Sequence, residues 1–374
     1  MKIKAAVLRE MALPQPFATS RPALIEEIDL DPPGAGEVLV KVAAAGLCHS
    51  DLSVVNGARP RPLPMVLGHE ASGVVEEVGE GVTDLKPGDH VVFVFVPSCG
   101  HCVPCNEGRP GLCEPGAAAN VAGTLLGGAT RLHKDGAPVN HQVGVSCFAE
   151  YATASRRSLV KVDRSLALEE AALFGCAVIT GVGAVVNTAK MRPGASVAVV
   201  GLGGVGLNAL LGAKMAGARQ IIGIDLLDDK LALARELGAD ETFNAGDANV
   251  VEAVRDATSG GVDYAFEVVG SVKAMELAYK ITRRGGETVS SGLSHPDHSF
   301  AIQHVNLVAE ERTIRGSYLG SCVPARDIPN YIALYQQGRL PVDRLMSERL
   351  PLEDINEGFD RLASGHTVRQ LIIF

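Results

Sequence analysis

No tryptophan occurs in the 374 residues, and aromatic side chains make up only 4% of them. That argues against a module that grips its partners through aromatic anchors. There is no basic surplus: 43 acidic residues face 34 basic ones, for a formal charge of -9. Nothing here neutralises phosphates along a nucleic acid, and no Lys/Arg run marks a membrane surface. A long hydrophobic run is also missing. The richest apolar stretch, Ala171 to Val186, is broken by Gly and Thr and is too short to cross a bilayer. The opening segment, Met1 to Arg9, reads as a β-strand and not as a signal-peptide core. The expectation is a soluble cytoplasmic protein with neither a membrane nor a nucleic-acid partner. What the chain does have is glycine, 42 residues of it, within a composition that is 47% hydrophobic and 21% charged. This suits a glycine-punctuated α/β enzyme and excludes a disordered or fibrous chain. The length exceeds what one core usually organises, so two domains are expected.

The first third is rich in short β-branched runs, at 38–42, 73–78 and 89–96, separated by Pro and Gly. From Cys99 to about Gly144 the chain is Gly-, Pro- and Cys-rich with little periodicity and reads as a long loop that needs a staple. After Cys176 the pattern changes. Apolar strands at 196–200, 221–225, 263–269 and 287–291 alternate with helical patterns, which means parallel βαβ units.

Gly201-x-Gly203-Gly204-x-Gly206 joins the first of these strands to a helix. Small residues there let the backbone approach a pyrophosphate, while the helix N-terminus supplies free N–H groups. Asp225 ends the next strand, 24 residues after Gly201. A carboxylate at that place accepts ribose hydroxyls and repels a 2′-phosphate, so the expected cofactor is NAD, with Lys230 near the adenosine ribose. The bland alternatives are an Asp225 that merely caps an element and a loop that merely turns the chain.

Cys99-x2-Cys102-x2-Cys105-x7-Cys113 places four thiols within 15 residues. Thiolates so spaced close around one structural Zn2+ and supply the staple. An iron–sulfur cluster is the competing chemistry, but its usual ferredoxin spacing shortens the last gap and adds Pro, whereas Glu114 follows Cys113 here. Cys48, His69 and Cys176 lie too far apart for spacing to join them, and a single buried Cys is usually packing.

The motifs Gly68-His69-Glu70, Gly73-x-Val75-x-x-Val78-Gly79, the Cys99–Cys113 cluster and Gly201-Leu-Gly-Gly-Val-Gly206 occur in the order seen in the zinc-dependent medium-chain alcohol dehydrogenases. The sequence resembles that family over essentially its whole length. The resemblance implies an α/β architecture, with a GroES-like, mainly-β catalytic domain from residues 1–177 and 320–374. A Rossmann domain with a doubly wound parallel sheet would span 178–319. It implies two Zn2+ per subunit, the catalytic one held by Cys48, His69 and Cys176, with Asp51 orienting the histidine and Glu70 close to the metal. Ser50 matches the hydroxyl that takes the alcohol's proton before hydride passes to the nicotinamide. His49 and Arg369 match contacts to the cofactor pyrophosphate, and Thr180 and Val205 fall where the family holds the nicotinamide end. Val268 is a further expected cofactor contact.

Two departures matter. Many relatives carry a histidine five residues after the first zinc cysteine, and this chain has Ser53, which is no base near neutral pH. The expected proton relay is therefore shortened to Ser50 and the nicotinamide ribose. Glutathione-dependent formaldehyde dehydrogenases carry two acids where this chain has Arg59 and Arg61. A free primary or secondary alcohol is thus expected, with S-(hydroxymethyl)glutathione as the alternative and a non-catalytic zinc protein as the remote one. By resemblance Phe95, Gln142, Val143, Leu293 and Tyr318 surround the substrate channel, with Gln142 free to meet a second substrate oxygen. The long Cys113-to-Phe148 stretch suits a homodimer joined near residues 300–318. No role is evident for Cys147 or Cys322.

Overall fold

A computed structural model describes all 374 residues and divides them into two compact units. The first comprises Met1–Cys176, Val323–Ile332 and Met346–Phe374; the second comprises Ala177–Cys322 and Ala333–Leu345. The segment 333–345, expected with the chain end, thus belongs to the second unit. Leu340, Val342 and Leu345 are buried there, and the turn Val342–Leu345 packs on the helix Gly204–Met215. No single helix is long and apolar enough to cross a membrane.

The first unit is mainly β. Strands Lys2–Leu8, Ala23–Leu30, Leu132–Lys134, Ala137–His141 and Met65–Val66 close into a small barrel. A second sheet of seven strands is centred on Glu37–Leu47, an eleven-residue strand buried along most of its length. The chain's last strand, Arg369–Ile373, pairs antiparallel with it, Gln370 opposite Leu47, and Ala71–Val78 pairs on its other side, Ala45 opposite Ala71. Three strand ends therefore meet, carrying Cys48, Glu70 and Arg369.

The stretch expected as loop from Cys99 to Gly144 holds more structure than its composition suggested. Helix Glu114–Ala122 starts on Cys113 and stops at Gly123, which is left-handed. Leu132–Lys134 and Ala137–His141 form a hairpin around Asp135 and Gly136, both with positive φ. Asp-Gly is the residue pair that such a two-residue turn prefers. That signal was present in the sequence and outweighs the weak periodicity of the strands beside it.

The second unit is a six-stranded parallel sheet in the order Glu241–Asn244, Gln220–Asp225, Ser196–Val200, Val262–Glu267, Thr282–Ser290, Thr313–Gly316. The first strand in sequence lies inside the sheet, and the following strands build outward to both sides. The loop after Ser196–Val200 therefore opens at the topological switch point, where such sheets bind ligands.

Candidate metal centres and nucleotide site

In the first unit, Cys48, His69 and Cys176 converge. Their potential ligand atoms all lie within 4.8 Å of one another, and all three residues are buried. Cys48 precedes the short helix His49–Val55, and the Asp51 carboxylate of that helix is entirely buried. Asp51 Oδ2 accepts the Cys48 N–H at 3.1 Å, and Oδ1 lies 2.7 Å from His69 Nδ1. One carboxylate thus holds two of the three residues, and the His69 nitrogen left for a metal is Nε2. Burial opposes the imidazolium, but Asp51 and then Cys48 outweigh it and raise the His69 pKa to about 10. Burial raises the Asp51 pKa against the pull of His69. The Cys176 thiol holds Cys48 well below its ordinary pKa, helped by His69 and Arg369, and Cys176 is pushed up in turn.

Glu70 and Arg369 form a fully buried ion pair beside the trio. Gly46 makes room for it, since a Cβ there would run into the Glu70 side chain. Burial lowers the Arg369 pKa while Cys48 and Asp51 act against that. Phe95 meets the His69 ring edge-on, centroids 5.5 Å apart. Ser50 is half-buried and His49 exposed on the helix that Cys48 opens. Ser53 Oγ donates to the His49 carbonyl at 2.7 Å, so its hydroxyl is engaged within the helix.

The sulfurs of Cys99, Cys102, Cys105 and Cys113 form a second cluster, again within 4.8 Å. Backbone N–H groups point at them: His101 and Cys102 donate to Cys99 Sγ, and Cys99 and Gly116 to Cys113 Sγ. Those donors lower the Cys99 pKa to about 6, with the His101 N–H first, while burial raises Cys105 to about 12. Amide donors aimed at sulfur suit thiolates held by a metal. Four thiolates fit a closed zinc site, and two thiolates with one imidazole fit a zinc site that keeps a position open. The clusters also share a support. Asn120, on the helix that Cys113 caps, donates from Nδ2 to the Phe95 carbonyl at 2.9 Å, and the carbonyl of Gly123 accepts the His141 N–H at 2.7 Å.

In the second unit, Gly201 has φ +97, and a Cβ on Gly206 would collide with the Gly201 carbonyl. A Cβ at Gly203 would meet nothing, which leaves open space before the helix Gly204–Met215 for a phosphate group. Val205 lies half-buried in the first turn of that helix. Asp225 Oδ2 accepts the Leu202 N–H at 2.6 Å, and Oδ1 accepts those of Leu226 and Leu227. The carboxylate is thereby fixed at the rim of a cavity of about 400 Å3, lined by Gly201, Ile224, Val250, Val269 and Ala274 among others. Lys230 is buried, and its burial pulls its pKa down against Asp229 and Asp225. The sequence reading missed Glu267. Its buried carboxylate accepts the Val269 and Gly270 N–H groups and the Ser290 hydroxyl, and so fixes the loop that begins at Val268. A carboxylate ending a strand before Val-Val-Gly was the available signal. Thr180 is buried, whereas Leu293 and Tyr318 are exposed on this unit.

Two family profiles match the chain: the alcohol dehydrogenase GroES-like domain over residues 34–164, and the zinc-binding dehydrogenase over 204–337. The solved alcohol dehydrogenase zinc-binding domain protein from Burkholderia ambifaria is 38% identical, with a TM-score of 0.94 over 100% of this chain and 99% of that one. The chain belongs to the zinc-dependent medium-chain alcohol dehydrogenases. Within this family, benzyl alcohol dehydrogenase from Acinetobacter calcoaceticus is 34% identical, with a TM-score of 0.93 over 100% of this chain and 99% of that one. A structure described as a zinc-binding dehydrogenase from Sinorhizobium meliloti 1021, bound to NADP, is 26% identical, with a TM-score of 0.81 over the whole of both chains. Fold and family are thus those that the motifs implied, a GroES-like domain and a Rossmann domain.

Proposed function

We propose that this zinc-family oxidoreductase oxidises a medium-sized primary or secondary alcohol, reversibly, with NAD as hydride acceptor. The observation that carries the reading is the convergence of Cys48, His69 and Cys176 in one buried pocket, with Asp51 bonded to the histidine. We assign one zinc to these three residues and a second to Cys99, Cys102, Cys105 and Cys113. When bound, the first supplies a Lewis acid for the substrate oxygen, and the nicotinamide supplies the hydride-accepting carbon.

This chain's own groups do the rest. Asp51 holds the His69 proton at Nδ1, so that Nε2 stays a donor to the metal. Glu70 and Arg369 place a compensated pair of charges beside the thiolates. Ser50 Oγ would accept the proton of the alcohol and give its own to the nicotinamide ribose hydroxyl; the Ser53 hydroxyl donates to the His49 carbonyl, and serine is no base near neutral pH. Phe95 forms an apolar wall next to His69. Gly201, Gly203, Gly204 and Gly206 admit the pyrophosphate, and the fixed Asp225 carboxylate disfavours a 2′-phosphate by charge.

The printed name of the Acinetobacter relative makes aryl alcohols the first substrates to try. A homodimer is also proposed: Thr313–Gly316 ends the sheet, and Val305 and Val308 stand exposed just before it. Light scattering that gives one chain's mass would refute it. The test of function is NAD(P)H absorbance over aliphatic, aryl and terpenoid alcohols, with and without glutathione. NAD should be preferred and glutathione dispensable, and Asp225→Ser should erase most of the preference over NADP. Equal rates with NADP in the unsubstituted enzyme would refute the cofactor assignment.

A further inference from the structure

Gln142 was expected to face a substrate, yet it is 3% exposed and its Oε1 accepts the N–H of Gly68, the residue before His69. The same loop grips the rest of that segment. Cys147 N–H donates to the Gly68 carbonyl at 3.1 Å, Phe148 N–H to that of Leu67 at 2.9 Å, and Ser146 Oγ to that of Val66 at 3.0 Å. Gln142 N–H donates in turn to Ser146 Oγ at 2.9 Å, which closes the loop on itself. Gly68 has φ +99, and a Cβ there would lie 2.5 Å from Phe148 N and 2.9 Å from Cys147 Sγ. The turn that carries the histidine is therefore pressed directly onto this loop.

The loop adopts an unfavourable backbone to reach that position. Val143 has φ +44, Gly144 +71 and Ser146 +55. A β-branched residue in the left-handed region is strained and persists only where its surroundings hold it, which is frequent beside functional sites. Here the turn through Val143 sits between the Gln142 side chain on Gly68 and the Ser146 hydroxyl on Val66.

We propose that Gln142 is a positioning residue for His69. Its amide oxygen fixes the Gly68 peptide and with it the backbone from which the imidazole projects, while Asp51 fixes the ring. The inference rests on the reading that Cys48, His69 and Cys176 hold zinc. A site with three protein donors has no fourth sulfur to retain the ion, so it depends on how firmly each donor is held.

Gln142→Met keeps the length of the side chain and removes the acceptor, which leaves the buried Gly68 N–H unpaired. In the zinc-loaded protein, a chelator should strip the trio about tenfold faster in this variant. The Cys99–Cys113 metal should leave at the wild-type rate. With cobalt at the trio the absorption spectrum should shift, and kcat should fall while KM for the alcohol holds. Gln142→Glu, which retains an oxygen acceptor, should restore metal retention. If Gln142→Met does not fold, Gln142→Asn, one methylene too short to reach Gly68, carries the same expectation. Unchanged metal release and spectrum with a raised KM would make Gln142 a wall of the substrate channel and overturn the proposal. A wild-type trio that takes up no metal would overturn the zinc reading as well; a trio that loads normally and is indifferent to residue 142 overturns the Gln142 role alone.

Discussion

Two cysteine clusters in the same unit are built in opposite ways. One draws its four sulfurs from residues 99–113, and backbone N–H groups from residues 99–116 point at two of them, Cys99 and Cys113. The other draws on residues 48, 69 and 176: strand register brings Cys48 beside His69, and the turn Leu173–Gly175, packed on the strands Ala71–Val78 and His90–Phe93, brings in Cys176. A local site is a property of its loop and serves as a staple for it. A dispersed site is a property of the whole core, so its geometry inherits the rigidity of the sheets and is suited to chemistry.

The sharpest break in this comparison is removal of one sulfur from each. Cys176→Ser should lower alcohol oxidation on the order of a thousandfold, several kcal/mol of transition-state stabilisation, with the thermal midpoint little changed. Cys105→Ser should instead lower the thermal midpoint first, because the binding energy of a structural zinc is folding energy. Calorimetry beside initial rates checks both, and a Cys105→Ser protein that loses activity while keeping its midpoint would dissolve the distinction.

This contrast also explains what the sequence disclosed. The Cys99–Cys113 cluster was legible from spacing, and so were the glycine loop and Asp225, because each lies within one βαβ unit or one loop. The trio was reached only through family resemblance. Nothing local in Gly46–Asp51 says that Ala45 pairs with Ala71 or that Arg369 returns beside Cys48. The hairpin at Asp135–Gly136 was legible but outweighed by the composition around it. The grip of Gln142 on Gly68 was hidden, since it joins residues 74 apart whose meeting follows from tertiary structure, whereas Glu267 acts on the N–H groups two and three residues ahead of it and was legible as a carboxylate ending a strand.

A milder test leaves all the donors in place. Asp51→Asn keeps the shape but removes the charge that holds His69 Nδ1–H, and the trio's zinc affinity should fall ten- to a hundredfold. The four-sulfur cluster should be indifferent. Chelator competition resolved by centre measures this, and equal losses at both would mean that the substitution acts through global stability.

At neutral pH the smallest effect concerns the ground between the clusters. His141 is bonded to Gly123 through its N–H, accepts the Arg131 N–H at Nε2, and has its pKa lowered by burial, then by Arg131, to about 3. A histidine depressed in the folded state binds its proton more readily when unfolded, near its ordinary 6.5. Its stabilising neutrality is therefore intact above about pH 6.5 and is lost as pH falls toward 3, at up to about 1.4 kcal/mol per unit. His141→Gln should flatten that part of the stability–pH curve, as measured by urea unfolding between pH 4 and pH 7, roughly the window in which the two forms differ. An unaltered slope would assign the acid sensitivity to other groups.

The central claim is that two different donor sets hold two zinc ions in one chain. Diffraction from catalytically active crystals at the zinc absorption edge tests it most directly. The account predicts two anomalous peaks per chain, one enclosed by Cys99, Cys102, Cys105 and Cys113 and one bounded by Cys48, His69 and Cys176. A single peak at the four sulfurs, in crystals that still turn over alcohol, would contradict it.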